Sequence, residues 1–204
     1  MAGVGTQNGW SQLLKSNPGH SQWYVDRFRS LARDGADLDG EARLVDAMLP
    51  RTARVLDAGC GPGRVGAALA AAGHDVVGVD LDPVLIDAAR QDHPGPRWLV
   101  GDLAELDLPA QGITDGFDAI VSAGNVMTFL APDTRQEVLR RMRLHLRDGG
   151  RIVVGFGTDR GYPVTDFLAD MHAADLVEDL LLATWDLRPY RDDSDFLVAV
   201  LRPA

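Results

Sequence analysis

The sequence predicts an α/β protein with a doubly wound, mostly parallel sheet and helices on both of its faces. Short apolar strands alternate with helical stretches between about residues 50 and 157, a glycine-rich turn joins the first strand directly to a helix, and two further β-rich runs close the chain. Alternation of this kind builds a parallel sheet that is covered by helices. A chain of 204 residues with 46% hydrophobic composition is the size of one domain with a substantial core.

Two helices are predicted before the first strand. Residues 21–33 place apolar side chains at helical spacing, so that one face of the helix can be buried. A second helix runs from about Asp39 to Met48, with Asp39 as its N-cap. An aspartate suits that position because its side chain accepts hydrogen bonds from the unpaired N–H groups of the first turn.

The segment from Val55 to Gly66 is the most informative part of the chain. Val55 and Leu56 begin an apolar strand, and the glycines that follow let the backbone bend sharply and let a ligand approach closely. The alanine-rich helix after the turn ends at Gly73. A strand, a glycine turn and a helix in this order build a nucleotide-type cofactor site at the carboxyl end of a parallel strand.

Four more strands of the parallel sheet are predicted, and two of them end in an acidic residue. The strand over residues 75–80 ends in Asp80, about 20 residues after Asp57, which is the distance at which an acid binds the ribose hydroxyls of a βαβ cofactor site. Asp82 caps the next helix, with Pro83 at its first position. The remaining predicted strands cover residues 98–103, 117–122 and 150–155.

The end of the chain is predicted to add two helices and a hairpin. One helix begins near residue 132 and ends at the Asp-Gly-Gly of residues 148–150, and another covers residues 163–174. The runs over residues 180–187 and 196–201 are rich in β-formers, and the polar residues 191–194 between them favour an antiparallel pair.

Residues 55–63 resemble motif I of the class I S-adenosylmethionine (SAM)-dependent methyltransferases, whose pattern is two hydrophobic residues, an acid, a small residue and three alternating glycines. The likeness continues through the later acidic strand ends and covers roughly residues 50 to 157. It implies a Rossmann-like sheet of seven strands with an antiparallel C-terminal strand. It also implies an N-terminal helical lid over residues 1–50 and a SAM-binding domain over residues 51–204, within one structural unit.

The same resemblance assigns roles at the cofactor site. Asp57 would orient the methionine ammonium group, Asp80 would bind the ribose, and Asp102 would hold the adenine amino group, while Leu81 and Leu103 would supply an apolar wall and a backbone N–H. The residues predicted to bind SAM are Asp57, Gly59, Cys60, Gly61, Gly63, Asp80, Leu81, Asp102, Leu103 and Ala123.

The main alternative cofactor is a dinucleotide, because Gly61, Gly63 and Gly66 spell G-x-G-x-x-G. A pyrophosphate binds at the positive end of a helix, where the carboxylate of Asp57 would repel it and would favour a cationic ligand instead. None of the three tyrosines is followed four residues later by lysine, the pair that short-chain dehydrogenases use. An NAD(P)-dependent oxidoreductase is therefore the less favoured alternative, beside a non-catalytic SAM-binding regulator or scaffold.

The segment over residues 122–130 is expected to face the methyl acceptor. Asn125 could orient a polar acceptor, and Tyr24 and His20, near the predicted lid, are the other candidate catalytic residues, with His172 as a further candidate base. The segment lacks the Asn/Asp-Pro-Pro-Tyr box of enzymes that methylate adenine or glutamine amino groups, and the Pro-Cys pair of cytosine-C5 enzymes. An unidentified small-molecule acceptor is expected.

The amino-acid composition disfavours several classes of partner. The net charge is −10, with 20 basic against 30 acidic residues, which disfavours nucleic acid because its binding depends on neutralising phosphates. The sequence contains no membrane-length apolar run and no apolar stretch typical of a secretory signal in residues 1–20. The single cysteine, Cys60, fits a reducing compartment, so a cytoplasmic location is predicted. No metal is predicted, since the acidic turn at residues 34–41 lacks calcium-loop spacing.

Overall fold

A computed structural model describes residues 7–204; the first six residues of the predicted N-terminal segment lie outside the described residues. In residues 7–204 the helices are α1 (Gly9–Ser16), α2 (His20–Arg33), α3 (Gly40–Ala47), α4 (Arg64–Ala71), α5 (Pro83–Asp92), α6 (Val126–Phe129), α7 (Arg135–Leu144) and α8 (Val164–Ala173). The strands are β1 (Arg54–Ala58), β2 (Asp75–Asp80), β3 (Arg97–Val100), β4 (Phe117–Ser122), β5 (Leu146–Gly157), β6 (Leu176–Leu182) and β7 (Phe196–Pro203).

The strands form one seven-stranded sheet with the order β3-β2-β1-β4-β5-β7-β6. Strands β1 to β5 pair in parallel, and β7 runs antiparallel to both β5 and β6. The predicted doubly wound sheet with an antiparallel C-terminal strand is confirmed. The strand order reverses between β1 and β4, and ligands bind such sheets in the crevice at this point.

Helices cover both faces of the sheet, as predicted. On one face, apolar residues of α3 and α4 such as Val45 and Leu69 pack against the strand side chains that point towards these helices. On the other face, α7 and α8 contribute residues such as Leu139 and Phe167 to a second, larger cluster. Alternate residues of a strand point to opposite faces, so each central strand contributes to both clusters.

The predicted boundary between α7 and β5 is wrong. Helix α7 ends at Leu144, and the Asp-Gly-Gly of residues 148–150 lies inside β5. The pairing of β4 with β5 moves from Phe117 opposite Leu146 to Ala119 opposite Arg151, so the glycine-containing segment forms a bulge. A glycine such as Gly149, with φ of 75°, suits a bulge as well as a helix end, which is why the sequence pattern misled.

Other element boundaries also differ from the sequence prediction. Strand β6 covers Leu176–Leu182, earlier than the predicted residues 180–187, because a turn occupies Thr184 to Leu187. Strand β3 ends at Val100, so Asp102 follows the strand rather than ending it. The short helices α1 and α6 were not predicted.

Candidate active site

A cavity of about 930 Å³ lies at the carboxyl ends of β1, β2 and β4. Helices α1 and α2 form one of its walls, and the loop before β7 forms another. The structure brings together at this cavity every predicted cofactor and catalytic residue except Gly63 and the further candidate base His172. Those that line it are His20, Tyr24, Asp57, Gly59, Cys60, Gly61, Asp80, Leu81, Asp102, Leu103, Ala123 and Asn125.

Asp57 lies near the end of β1 and is buried, with 2% of its surface exposed. Its Oδ2 accepts a hydrogen bond of 2.8 Å from the backbone N–H of Gly66, in the first turn of α4. Burial raises the pKa of the Asp57 carboxyl to about 7, although the Gly66 hydrogen bond and the charge of Arg64 favour its ionised form. The carboxylate therefore occupies a helix donor that a phosphate would otherwise use.

Asp80 ends β2 on the neighbouring strand. Its Oδ2 accepts a hydrogen bond of 2.8 Å from the N–H of Gly61, and its Oδ1 accepts one of 2.9 Å from the N–H of Asp82. Burial raises the pKa of Asp80 to about 6, against these hydrogen bonds, which favour the charged form. The side chain is thus held in one orientation against the glycine turn.

The three alternating glycines of the turn have different surroundings, although all have positive φ. A Cβ on Gly59 would lie 2.4 Å from a methyl carbon of Val126, and one on Gly63 would lie 3.0 Å from the ring of Trp98. A Cβ on Gly61 would meet only the Tyr24 ring, at 3.8 Å. Gly61 is therefore the glycine at which the cavity approaches the backbone, whereas Gly59 and Gly63 allow packing.

The remaining predicted cofactor residues lie beside these acids. Asp102 Oδ1 accepts a hydrogen bond of 2.9 Å from the N–H of Ala104 and so caps a short 3₁₀ helix, which leaves Oδ2 without a contact from that cap. Leu103 is 6% exposed and belongs to the core beneath the cavity. Burial raises the pKa of the Cys60 thiol well above its usual range, so the sulfur is an inert part of the wall.

Asn125 follows β4 in a left-handed conformation, with φ of 69°, which asparagine tolerates better than most residues. Its side-chain Oδ1 accepts a hydrogen bond of 2.8 Å from the N–H of Gly157, at the end of β5. The amide oxygen thus ties the two strand ends together. The amide NH₂ group is the part of Asn125 that is left to orient another molecule.

Tyr24 and His20 belong to an aromatic cluster on α1 and α2. The indole of Trp10 makes edge contacts with both rings, at centroid distances of 5.7 Å to Tyr24 and 5.2 Å to His20. Burial raises the pKa of Tyr24, so its hydroxyl stays protonated at neutral pH and cannot act as a general base there. His172 lies elsewhere, on α8, where its Nε2 is 3.1 Å from Glu178.

Known proteins that are similar to this chain identify its family. A family model described as a methyltransferase domain matches residues 55–150. A crystal structure of a TehB-like SAM-dependent methyltransferase from Corynebacterium glutamicum is 50% identical, covers 92% of this chain and 100% of its own, and superposes with a TM-score of 0.86. The chain belongs to the SAM-dependent methyltransferases.

Curated relatives of the chain match a shorter region. An uncharacterised methyltransferase of Mycobacterium tuberculosis is 41% identical over 118 residues, which is 56% of this chain and 57% of the relative. Magnesium-protoporphyrin O-methyltransferase of Rhodobacter capsulatus is 37% identical over 117 residues, or 53% of this chain and 49% of the relative. The chain therefore spans about half the length of the curated relatives it matches.

The far wall of the cavity was not predicted from the sequence. Trp185, before β7, packs on β5, where a Cβ on Gly155 would lie 2.3 Å from its ring. Arg160 and Asp195 line the same side, and Trp23 and Arg27 line the side formed by α2. These segments are far apart in sequence and have no common spacing. Their aromatic and charged side chains were the available signal, but only the fold shows that they meet.

No helix in residues 7–204 is long and apolar enough to cross a membrane. Within the same residues, histidine, cysteine, aspartate and glutamate side chains form no group of three or more that could hold a metal ion.

Proposed function

We propose that this methyltransferase binds SAM in the cavity and transfers its methyl group to a small-molecule acceptor. The observation that carries the proposal is the placement of Asp57 and Asp80 at adjacent strand ends, on either side of the open backbone at Gly61. Bound SAM would supply a sulfonium methyl group, to which an acceptor nucleophile would bond in line as the carbon–sulfur bond breaks and S-adenosylhomocysteine leaves.

The residues at this edge of the sheet fit the chemical parts of SAM. The carboxylate of Asp80 would accept hydrogen bonds from the ribose hydroxyls, and Asp102 would accept one from the adenine amino group. Asp57 would attract the methionine ammonium, since a buried carboxylate gains most from an opposite charge nearby. Leu81 and Leu103 would form the apolar wall.

The other predicted residues fit as parts of the backbone cradle. Gly61 leaves room for close approach, Gly59 and Gly63 let the turn pack, and Cys60 and Ala123 add small side chains. A dinucleotide fits less well, because the Gly66 N–H is already bonded to Asp57 and is not free to bind pyrophosphate.

We propose that α1 and α2 form a lid, defined here as residues 9–33, over this site. Tyr24 packs against both Trp10 and Phe28, and Trp10 also makes an edge contact with Phe129 of α6, at a centroid distance of 5.5 Å. The lid thus touches the segment after β4. Closure of such a wall would exclude water and hold the acceptor near the methyl group.

Catalysis would depend mainly on positioning. Holding the nucleophile and the methyl group in a near-attack geometry can supply ~7–11 kcal/mol of the barrier reduction in favourable cases. The Asn125 NH₂ group would orient a polar acceptor, and the protonated Tyr24 hydroxyl would donate a hydrogen bond. His20 would accept a proton if the acceptor is protonated at working pH.

We propose that the methyl acceptor is a small molecule and that the protein acts in the cytoplasm. The relative from Rhodobacter capsulatus is named for magnesium-protoporphyrin, and a Streptomyces griseus relative is named N-demethylindolmycin N-methyltransferase. Both names describe small acceptors, which supports the same class here without identifying the molecule.

The direct test is SAM binding by calorimetry, followed by detection of S-adenosylhomocysteine with pooled small-molecule acceptors. Asp80→Ala should weaken SAM binding at least tenfold, because each hydrogen bond to a charged group contributes about 1.5–3 kcal/mol. Asp87→Ala, which removes an exposed carboxylate on α5, is the matched control and should bind normally. Equal SAM affinity of wild type and Asp80→Ala would refute the site assignment.

A non-catalytic SAM-binding regulator is the second candidate. The observation that favours it is the hydrogen bond that Asn125 Oδ1 accepts from the N–H of Gly157, because this candidate acceptor-side oxygen is thereby already occupied. Under this alternative the protein binds SAM tightly, and no acceptor pool produces S-adenosylhomocysteine above the rate without protein. Turnover with any acceptor, abolished by Asp80→Ala, would exclude it.

A further inference from the structure

Asp82 is a buried carboxylate that has no role among the proposed cofactor contacts. It is 2% exposed. A buried charge is costly unless it is paired or fully hydrogen-bonded. In residues 7–204 the groups that donate to its two oxygens come from three separate helices, α1, α2 and α5.

The two oxygens of Asp82 have different partners. Oδ1 accepts a hydrogen bond of 2.9 Å from the N–H of Val84 and caps α5. Oδ2 accepts a hydrogen bond of 2.9 Å from the indole Nε1–H of Trp10 and another from the hydroxyl of Ser21. Oδ1 therefore caps α5, and Oδ2 binds both helices of the lid.

Asp82 is also bonded to the proposed ribose ligand. Its backbone N–H donates to Oδ1 of Asp80 at 2.9 Å, and Oδ2 of Asp80 accepts from the N–H of Gly61 at 2.8 Å. A continuous series of hydrogen bonds thus runs from the lid, through Asp82 and Asp80, to the glycine turn. Trp10, at its outer end, contacts the cavity-lining rings of Tyr24 and Phe129.

We propose that Asp82 is a positioning residue that couples closure of the lid to occupancy of the SAM site. The coupling deepens the proposed function and rests on it. Asp82 touches neither SAM nor acceptor; it fixes the lid and the carboxylate of Asp80 to the same point. Coupling between two sites is reciprocal, so a lid that slows SAM release must itself be stabilised by SAM to the same extent.

Three variants separate this coupling from the helix cap. Asp82→Asn keeps an amide oxygen to cap α5, and asparagine is a good N-cap, but its NH₂ group can replace Oδ2 and cannot accept from Trp10. Trp10→Phe keeps an aromatic ring but removes the indole donor together with part of the ring packing, whereas Ser21→Ala removes only the hydroxyl and is the cleaner test of the hydrogen bond to Asp82. Arg29→Gln is the control, because it breaks the exposed α2–α5 pair with Asp92 and leaves Asp82 untouched.

The experiment measures the SAM dissociation rate by stopped flow, and hydrogen–deuterium exchange of residues 9–33 with and without SAM. We expect SAM to protect the lid in wild type and in Arg29→Gln. In Trp10→Phe and Ser21→Ala, dissociation should be several-fold faster, and in Asp82→Asn roughly tenfold or more, with the protection reduced in step. A cap that is merely structural would change the unfolding temperature without changing SAM-dependent protection.

The outcomes distinguish failure of the proposed function from failure of the coupling through Asp82. If wild type does not bind SAM, the proposed function fails. If wild type binds SAM and Trp10→Phe and Ser21→Ala retain wild-type dissociation and lid protection, the coupling through Asp82 is refuted while the function stands. These two milder variants keep the test decisive even if Asp82→Asn does not fold.

Discussion

The backbone N–H of Gly66 donates a hydrogen bond of 2.8 Å to Oδ2 of Asp57, which joins the end of β1 to the first turn of α4. A Cβ on Gly66 would lie 2.8 Å from the Trp98 ring and 3.1 Å from Asp57 Oδ2, so glycine is needed for the approach. Gly66, the last glycine of the G-x-G-x-x-G string, thus allows close packing against Trp98 and donates a hydrogen bond to the Asp57 carboxylate. This contact occupies an N–H that a pyrophosphate would need, so we expect the string not to form a pyrophosphate site here.

The buried Asp57 should make the apoprotein less stable as the pH rises. Its folded-state pKa of about 7 lies above the ordinary aspartate value, so its contribution to the free energy of unfolding is fully present near pH 4 and is lost as the pH rises through 7. Asp80, with a pKa of about 6, acts in the same direction. Asp57→Asn should therefore unfold at a higher temperature than wild type at about pH 8.

The control for that prediction is the difference between the two proteins at about pH 5, where it should shrink because Asp57 is then largely protonated. Some carboxylates have a lowered pKa, such as Asp37 and Glu137 at about 2, and these groups reduce stability only as the pH falls further towards that value. They are present in both proteins and therefore do not affect the comparison. Thermal unfolding followed by circular dichroism gives the comparison. Parallel pH profiles would contradict the assignment of the raised pKa to Asp57.

SAM affinity should fall as the pH is lowered from about 8 to 5.5. Protonation removes the charges of Asp57 and Asp80, whose pKa values of about 7 and about 6 lie inside this window, and with them the attraction for a cationic ligand. Calorimetry at several pH values measures the dissociation constant. Asp57→Asn should bind weakly and lose most of the change above about pH 6.5, and an unchanged pH slope in that variant would count against the role of Asp57.

Gly61→Ala should weaken SAM binding more than it lowers stability. The new methyl group would enter the cavity, since Gly61 lines it with only the Tyr24 ring near its Cβ position, and φ of 53° adds strain of about 1–2 kcal/mol. Gly112→Ala is the matched control, because Gly112 also has positive φ, 77°, with open space around it and a position away from the cavity. Calorimetry and thermal unfolding compare the two; similar losses of SAM affinity would show that strain alone is responsible.

Gly78→Ala should destabilise the protein by about 1–3 kcal/mol through overpacking. A Cβ on Gly78 would lie 2.3 Å from the ring of Trp98, which is 4% exposed and held by a hydrogen bond from its Nε1–H to the carbonyl oxygen of His93. Replacing Trp98 with leucine in the Gly78→Ala background should cost less than the sum of the single changes. Urea unfolding of the four proteins tests the coupling, and strict additivity would refute it.

The local sequence pattern predicted those elements in which the buried residues recur at a regular spacing. The core of β1, the turn and α4 were predicted well because a buried strand, positive-φ glycines and an alanine-rich helix each leave a local signature. The start of β5 was not predicted, because the bulge at Gly149 depends on pairing with β4. Helix α1 was missed because none of its residues is buried and its helix is short.

The sequence by itself placed Asp57 near the end of β1 and Asp80 at the end of β2, and therefore both at one edge of a parallel sheet. It did not fix the position of Asp102, which follows β3 rather than ending it. Tertiary structure alone decided which glycine opens to the cavity, since that depends on where Val126 and Trp98 pack. It also decided that Trp10 meets Asp82, 72 residues away. Periodicity reports which face of an element is buried, whereas contacts between distant segments depend on how the whole chain packs.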